Sequence, residues 1–192
     1  TFKLDTKTSS YIIKIYDEGY LLNLYYGAKI PDTYVPEREK VTPNASFSPA
    51  NPIIGENGFS PDTAPMEYGT NGAGDFRISA LSVKNSNGDT VTDIRYTGYA
   101  IYDGKPGIPL LPSTYVNTND EAQTLEIYML DKVTGLKITL YYTAFEKYGI
   151  MTRHVRAENV GENPLEIEKI FTMCLNLPSM DYDMITLYGR HM

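Results

Sequence analysis

Residues 124–143 read TLEIYMLDKVTGLKITLYYT, two alternating runs joined by a turn. In the first run Leu125, Ile127 and Met129 alternate with Glu126 and Tyr128. In the second, Leu136, Ile138, Leu140 and Tyr142 share one face, and Lys137, Thr139 and Tyr141 share the other. Successive side chains of an extended strand point to opposite faces, so this period of two predicts two strands with one face toward a core. Thr134-Gly135 sits between them as the turn. A slip of one residue would turn every apolar side chain to solvent, so the pattern fixes the pairing as well as the strands.

The same reading extends outward in both directions. Tyr11, Ile13 and Ile15 point one way, and Asp17-Glu18-Gly19 closes that strand against the apolar run that follows. Asn87-Gly88, between SALSVK and VTDIRY, supplies the positive φ angles of a tight hairpin. MTRHVRAEN reads as a strand. After it, Gly161-Glu162-Asn163-Pro164 precedes PLEIEKI, where Leu165 and Ile167 alternate with Glu166 and Glu168. Strands and turns recur without a long amphipathic helical run. The expectation is an all-β fold, an antiparallel β-sandwich, with a barrel as the weaker alternative.

Composition narrows the function. The 192 residues carry 42% hydrophobic and 21% charged side chains, enough for a packed domain. The formal net charge is −7, and no cluster of Lys and Arg replaces phosphate counterions, so nucleic acid is not an expected partner. No apolar run is long enough to span a bilayer, which leaves the membrane out as well. TFKLDTKTSS lacks the apolar stretch of a signal peptide, and the expected location is the cytoplasm. Cys174 is the single cysteine; it reads as a small buried hydrophobe. With only two histidines, a four-ligand zinc site is not available, and no metal or cofactor is expected.

The stretch from Pro31 to Pro65 differs from the rest, with seven of the twelve prolines. Loops of this length in compact domains are usually functional or mobile. It contains a short echo, Phe47-Ser48-Pro49 and Phe59-Ser60-Pro61. Gly69-Thr70-Asn71-Gly72-Ala73-Gly74 lacks the Lys-Ser/Thr ending of a phosphate-binding loop, and reads as a turn before a strand from Phe76. Asn44-Ala45-Ser46 fits a glycosylation acceptor but has no secretion signal to support it.

Glycosidases work with two carboxyl groups flanking the scissile bond. Asp17 with Glu18, Asp120 with Glu121, and Asp181 with Asp183 are the adjacent acidic pairs. The first two fall at turns, and nothing local buries the third, so none is assigned as a catalytic dyad. His154 reads as solvent-facing or hydrogen-bonded. No GxSxG, P-loop or HExxH motif is present.

An ordered series of motifs remains. Gly19-Tyr20-Leu21 and Leu24-Tyr25-Tyr26-Gly27 are followed by the FSP loop, Glu67-Tyr68-Gly69, and Gly74-Asp75-Phe76-Arg77 with Ala80. Then come Val91-Thr92-Asp93, Leu111-Pro112-Ser113-Thr114-Tyr115-Val116, Ile150-Met151-Thr152-Arg153, and Leu177-Pro178 with Asp181-Tyr182. This series resembles the N-terminal region of family 36 glycoside hydrolases, the bacterial-type α-galactosidases.

The resemblance implies a retaining enzyme acting on terminal α-galactosides of the melibiose and raffinose type, without a cofactor. It implies that residues 1–192 are a partial N-terminal β-supersandwich, with a proline-rich loop at about 31–67. The catalytic aspartates would lie on a (β/α)8 barrel beyond the chain, leaving this portion inactive alone. It further implies a homo-oligomer, often a homotetramer, in which this domain scaffolds the assembly and walls the sugar pocket. The family pattern has an aspartate three residues before the first FSP phenylalanine and an arginine two residues before the second, both reaching the sugar. The matching positions are Asn44 and Asn57, which depart from it but retain hydrogen-bonding amides. Arg77 is open to two readings: a sugar or subunit contact, or, preferred, a structural arginine held by a carboxylate or backbone carbonyls. The alternative function is a stand-alone carbohydrate-binding β-sandwich. It lacks tryptophan platforms, and Tyr25, Tyr26, Tyr141 and Tyr142 would have to serve.

Overall fold

The computed structural model describes residues 1–34, 61–177, 181–187 and 189. Three strands open the chain: β1 (Phe2–Asp5), β2 (Ser9–Ile15) and β3 (Leu21–Ala28). They form one antiparallel sheet in the order β1-β2-β3. A second sheet holds β5 (Arg95–Asp103), β6 (Gln123–Leu130), β7 (Leu136–Phe145) and β8 (Ile150–Asn159), in sequence order and antiparallel throughout. Between them in the chain lies β4 (Leu81–Lys84), which pairs with β9 (Glu166–Ile170). The described chain is all-β, as the alternation requires.

The two larger sheets meet through a shared core. Tyr11 and Ile13 of β2 and Leu21 of β3 pack with Leu125, Ile127 and Met129 of β6 and with Leu136, Ile138, Leu140 and Tyr142 of β7. All four apolar residues assigned to one face of β7 are in that core. Burial of each such side chain contributes about 1.5–3 kcal/mol. Gly135 turns β6 into β7 with φ +76°, and a Cβ there would stand 2.5 Å from Gly161, so only glycine fits.

Four details differ from the sequence reading. Ile12 is as buried as Ile13, because β2 is covered on both faces. A register shift between Ile12 and Ile13 accompanies a second cluster in which Ile12 joins Leu22, Leu24, Ala64 and Met66. The Asn87-Gly88 turn forms, with Gly88 at φ +89° and Gly88 N–H donating to Asn85, but it joins no paired strands. β4 pairs with β9 and β5 with β6 instead. The extended strand expected from Phe76 begins only at Leu81, and Phe76 itself is exposed. In β9 burial does not follow the sequence alternation: Ile167 is exposed along with Glu166 and Glu168.

Candidate functional site

The last residues of the proline-rich stretch return to the sandwich as a short 3-10 turn, Pro61–Thr63. Met66 then forms an isolated bridge with Leu22, and Glu67 N–H donates to the Leu21 carbonyl. This backbone tether carries the Glu67 side chain between the sheets, where it is fully buried. Tyr11 of β2 donates its hydroxyl to both carboxylate oxygens, at 2.8 and 2.9 Å. Tyr142 of β7 donates at 2.7 Å, and the Asn23 amide of β3 at 3.1 Å. Arg153 of β8 completes the set, its Nη1 2.9 Å from Glu67 Oε1. The same guanidinium donates to the Tyr142 hydroxyl at 3.2 Å and lies over its ring, 4.4 Å from the centroid.

Electrostatically this is a buried ion pair in which the carboxylate is well supplied with donors, while Arg153 Nε and Asn23 Oδ1 are buried without a hydrogen-bond partner. Burial pushes the Glu67 carboxyl above the ordinary range, with Arg153 and the tyrosine hydroxyls opposing that shift. Burial, together with the adjacent Glu67 charge, holds Tyr11 and Tyr142 well above the usual tyrosine range. Burial works against the charge on Arg153, but the groups around it outweigh that and raise its pKa further. Glu67 therefore links three parts of the fold through charge-assisted bonds. It has no path to a glycosidic oxygen, and none of its partners is a second carboxylic acid, so it does not supply a retaining pair.

A second polar clamp sits at the exposed end of the same tether. Arg77 Nε and Nη2 meet the two Asp75 carboxylate oxygens, each at 2.8 Å. The same Nη2 donates to the carbonyls of Pro61 at 2.9 Å and Ala64 at 2.6 Å. Carboxylate and backbone carbonyls are the partners the structural reading of Arg77 required.

The remaining sequence candidates are placed as follows. Asn44 and Asn57, with Asn44-Ala45-Ser46 and both FSP phenylalanines, lie outside the described residues. Asp120 is exposed and Glu121 half-buried in a 3-10 turn, and Asp181 and Asp183 are exposed in a stretch without a strand. His154 stacks on Tyr141, with ring centroids 4.1 Å apart and 9° between planes. Cys174 is half-buried, at the edge of the main core, rather than enclosed. Among the described residues no group of three or more His, Cys, Asp or Glu is placed to hold a metal. No helix among them is long and apolar enough to cross a membrane.

Sequence reasoning passed over Glu67 and Arg153 except as parts of quoted motifs. The signal was an acid beside a run of apolar residues and an arginine at a core-facing strand position. Neither discloses its partner, since Glu67 is 44 to 75 residues from Asn23, Tyr11 and Tyr142.

The model of the glycosyl hydrolase family 36 N-terminal domain matches residues 19–192. The chain belongs to family 36. It is 41% identical over 190 residues to alpha-galactosidase AgaA of Geobacillus stearothermophilus, covering 98% of this chain and 26% of that protein. It is 34% identical to alpha-galactosidase Mel36A of Lactobacillus acidophilus, again covering 99% of this chain and 26% of the relative. Family 36 folds agree: the crystal structure of AgaB from Geobacillus stearothermophilus superposes with a TM-score of 0.86 at 41% identity, over 95% of this chain and 24% of that one. A variant of AgaA crystallised in complex with stachyose gives a TM-score of 0.87 at 40% identity, covering 95% and 25%. The chain thus spans about a quarter of the length of the relatives it matches.

Proposed function

We propose that this chain is the non-catalytic β-sandwich portion of a retaining α-galactosidase that removes terminal α-galactose from sugars such as melibiose and raffinose. The observation that carries the reading is the match of residues 19–192 to a family 36 N-terminal domain. Its relatives are α-galactosidases about four times as long. The chemistry of the described residues agrees with a division of labour. The buried carboxylate is tied into the core, and Asp120, Asp181 and Asp183 are exposed. Catalysis is assigned to a (β/α)8 barrel elsewhere in the polypeptide, with residues 1–192 as its scaffold.

Within that reading the domain packs on its own barrel, supports a homo-oligomer of the homotetramer type, and walls the galactoside pocket with the proline-rich loop at about 31–67. Asn44 and Asn57 are the sugar-contacting residues, each offering an amide to a galactose hydroxyl. The cytoplasm is the proposed location, in keeping with one unpaired cysteine. No cofactor is assigned. Steady-state kinetics on melibiose with the full-length polypeptide test the loop. Asn44→Ala and Asn57→Ala are each expected to raise KM about tenfold, the loss of one neutral hydrogen bond to substrate. Unchanged kinetics in both variants would remove the loop from the pocket.

Of the four tyrosines that the stand-alone sugar-binding alternative would use, Tyr142 is fully buried in the Glu67 cluster and Tyr141 is stacked against His154, which leaves it Tyr25 and Tyr26.

A further inference from the structure

The proline-rich stretch is anchored on the sandwich at two feet, and both rest on one apolar cluster. Ile30, just before it, and Ala64 and Met66, at its end, pack with Ile12, Leu22 and Leu24. The first foot is held by backbone and one hydroxyl. Lys29 N–H donates to the Thr8 carbonyl at 2.9 Å, and Ile30 N–H donates to Ser10 Oγ at 3.1 Å. Lys3 Nζ then pairs with Asp32 at 2.6 Å, but the Asp32 side chain is 90% exposed, so water screens that pair.

The second foot is held by an arginine. The 3-10 turn Pro61–Thr63 closes when Ala64 N–H donates to the Pro61 carbonyl at 3.2 Å, and Pro61 is buried. Arg77 Nη2 also donates to both the Pro61 and the Ala64 carbonyls, from 16 and 13 residues further along the chain. Asp75 aims this side chain. Its carboxylate accepts from Arg77 Nε and Nη2 and, at 3.1 Å, from the Arg77 backbone N–H. The Asp75 side chain is only 9% exposed. A planar guanidinium held at two points has one orientation, which fixes the direction of its remaining donors.

We propose that Arg77 is a positioning residue for the galactoside: by fixing Pro61 it fixes where Asn57 can reach. Asn57 precedes Pro61 by four residues, and four extended residues span at most about 14 Å. A displacement of the foot therefore passes to the Asn57 amide with little slack to absorb it. Asn44 follows Asp32 by twelve residues, a reach of about 40 Å, so the first foot constrains Asn44 only loosely. In this assignment Arg77 touches no sugar, since Nε and Nη2 are occupied by protein oxygens. Its contribution is geometric, and small misplacements of a contacting group are costly to substrate binding. The assignment rests on the reading of Asn57 as a sugar contact and adds the residue that places it.

The test is a double-mutant cycle on melibiose with the full-length polypeptide, reading KM and kcat separately. Arg77→Met is expected to raise KM about three- to tenfold, with kcat changed less than about twofold. In the Asn57→Ala background the same substitution is expected to add less than about twofold, because the contact it positions is already gone. Asp75→Asn leaves Arg77 in place but removes the carboxylate that aims it, and should give the same pattern with a smaller rise. It carries the test if Arg77→Met does not fold. Lys3→Met, at the first foot, is expected to leave KM unchanged. Equal rises in both backgrounds would make Arg77 act without Asn57 and overturn the proposal. A rise in Lys3→Met matching that of Arg77→Met would reduce both to general support of the sandwich, and overturn it too. Unchanged KM in Arg77→Met and Asp75→Asn, where Asn57→Ala raises it, would overturn the positioning role and leave the sugar contact standing. Unchanged KM in Asn57→Ala would remove the sugar contact and the positioning role together.

Discussion

Around Glu67 the sandwich encloses a carboxylate and a guanidinium; on the loop between β5 and β6 it holds a leucine out into water. Both regions invert the usual distribution of polarity, but they differ in closure. The inner one has its partners within this chain, from β2, β3, β7 and β8. The outer one has an exposed apolar surface and a strained turn, with nothing in the described chain to cover them. The first inversion is explained by the fold alone; the second is not.

The inner region is where substitution is expected to cost most. Arg153→Met leaves Glu67 buried without its counter-charge, and the expected loss is about 3–5 kcal/mol. Hydrogen exchange at the β7 and β8 amides measures it, because those strands flank the pair. Retention of wild-type protection would mean that Glu67 is neutral and Arg153 dispensable. Tyr142→Phe removes one hydroxyl that both donates to Glu67 and accepts from Arg153. It should cost about 1–2 kcal/mol by the same measurement. Arg77→Ala is expected to cost less than about 1.5 kcal/mol, since that side chain is 44% exposed and its ion pair is screened. Its effect should concentrate at the amides of residues 62–64, in the turn whose Pro61 and Ala64 carbonyls it holds. Equal deprotection of β7 would show that the two clamps act as one.

The smallest expected effect separates a surface ring from the core. Burial lowers the His154 pKa below 6.5, Lys105 lowers it further, and Glu126 opposes. A depressed pKa means the unfolded chain binds the proton more readily. The contribution of His154 is therefore present above pH 6.5 and is lost as pH falls through its lower folded value. His154→Phe keeps a ring against Tyr141 and cannot titrate. Its thermal midpoint should fall less steeply than wild type between about pH 6.5 and 5. Identical slopes would assign the acid sensitivity to carboxylates alone.

These contrasts also show what a sequence discloses. β6 and β7 were legible because their apolar residues alternate and only Asp131 to Gly135 connect them, so periodicity and partner are local. Ile12 was not, because its burial depends on the 61–67 tether arriving on the far face of β2. The β4–β9 pairing was hidden for the same reason: the Asn87-Gly88 signal reports a turn but not which strands will meet. Glu67 was the hardest, since a lone acid in a sequence carries no mark of two tyrosines and an arginine converging from distant strands. Arg77 was readable in kind, because an arginine two residues after an aspartate has a carboxylate within reach.

The central claim is that residues 1–192 support catalysis without performing it. The direct measurement is release of galactose from melibiose by the purified 1–192 chain, compared with the full-length polypeptide at equal molar concentration. The account predicts turnover by the full-length polypeptide and none by the shorter chain at any pH. Galactose released by residues 1–192 alone would contradict it, and would require a catalytic carboxyl pair within this sandwich.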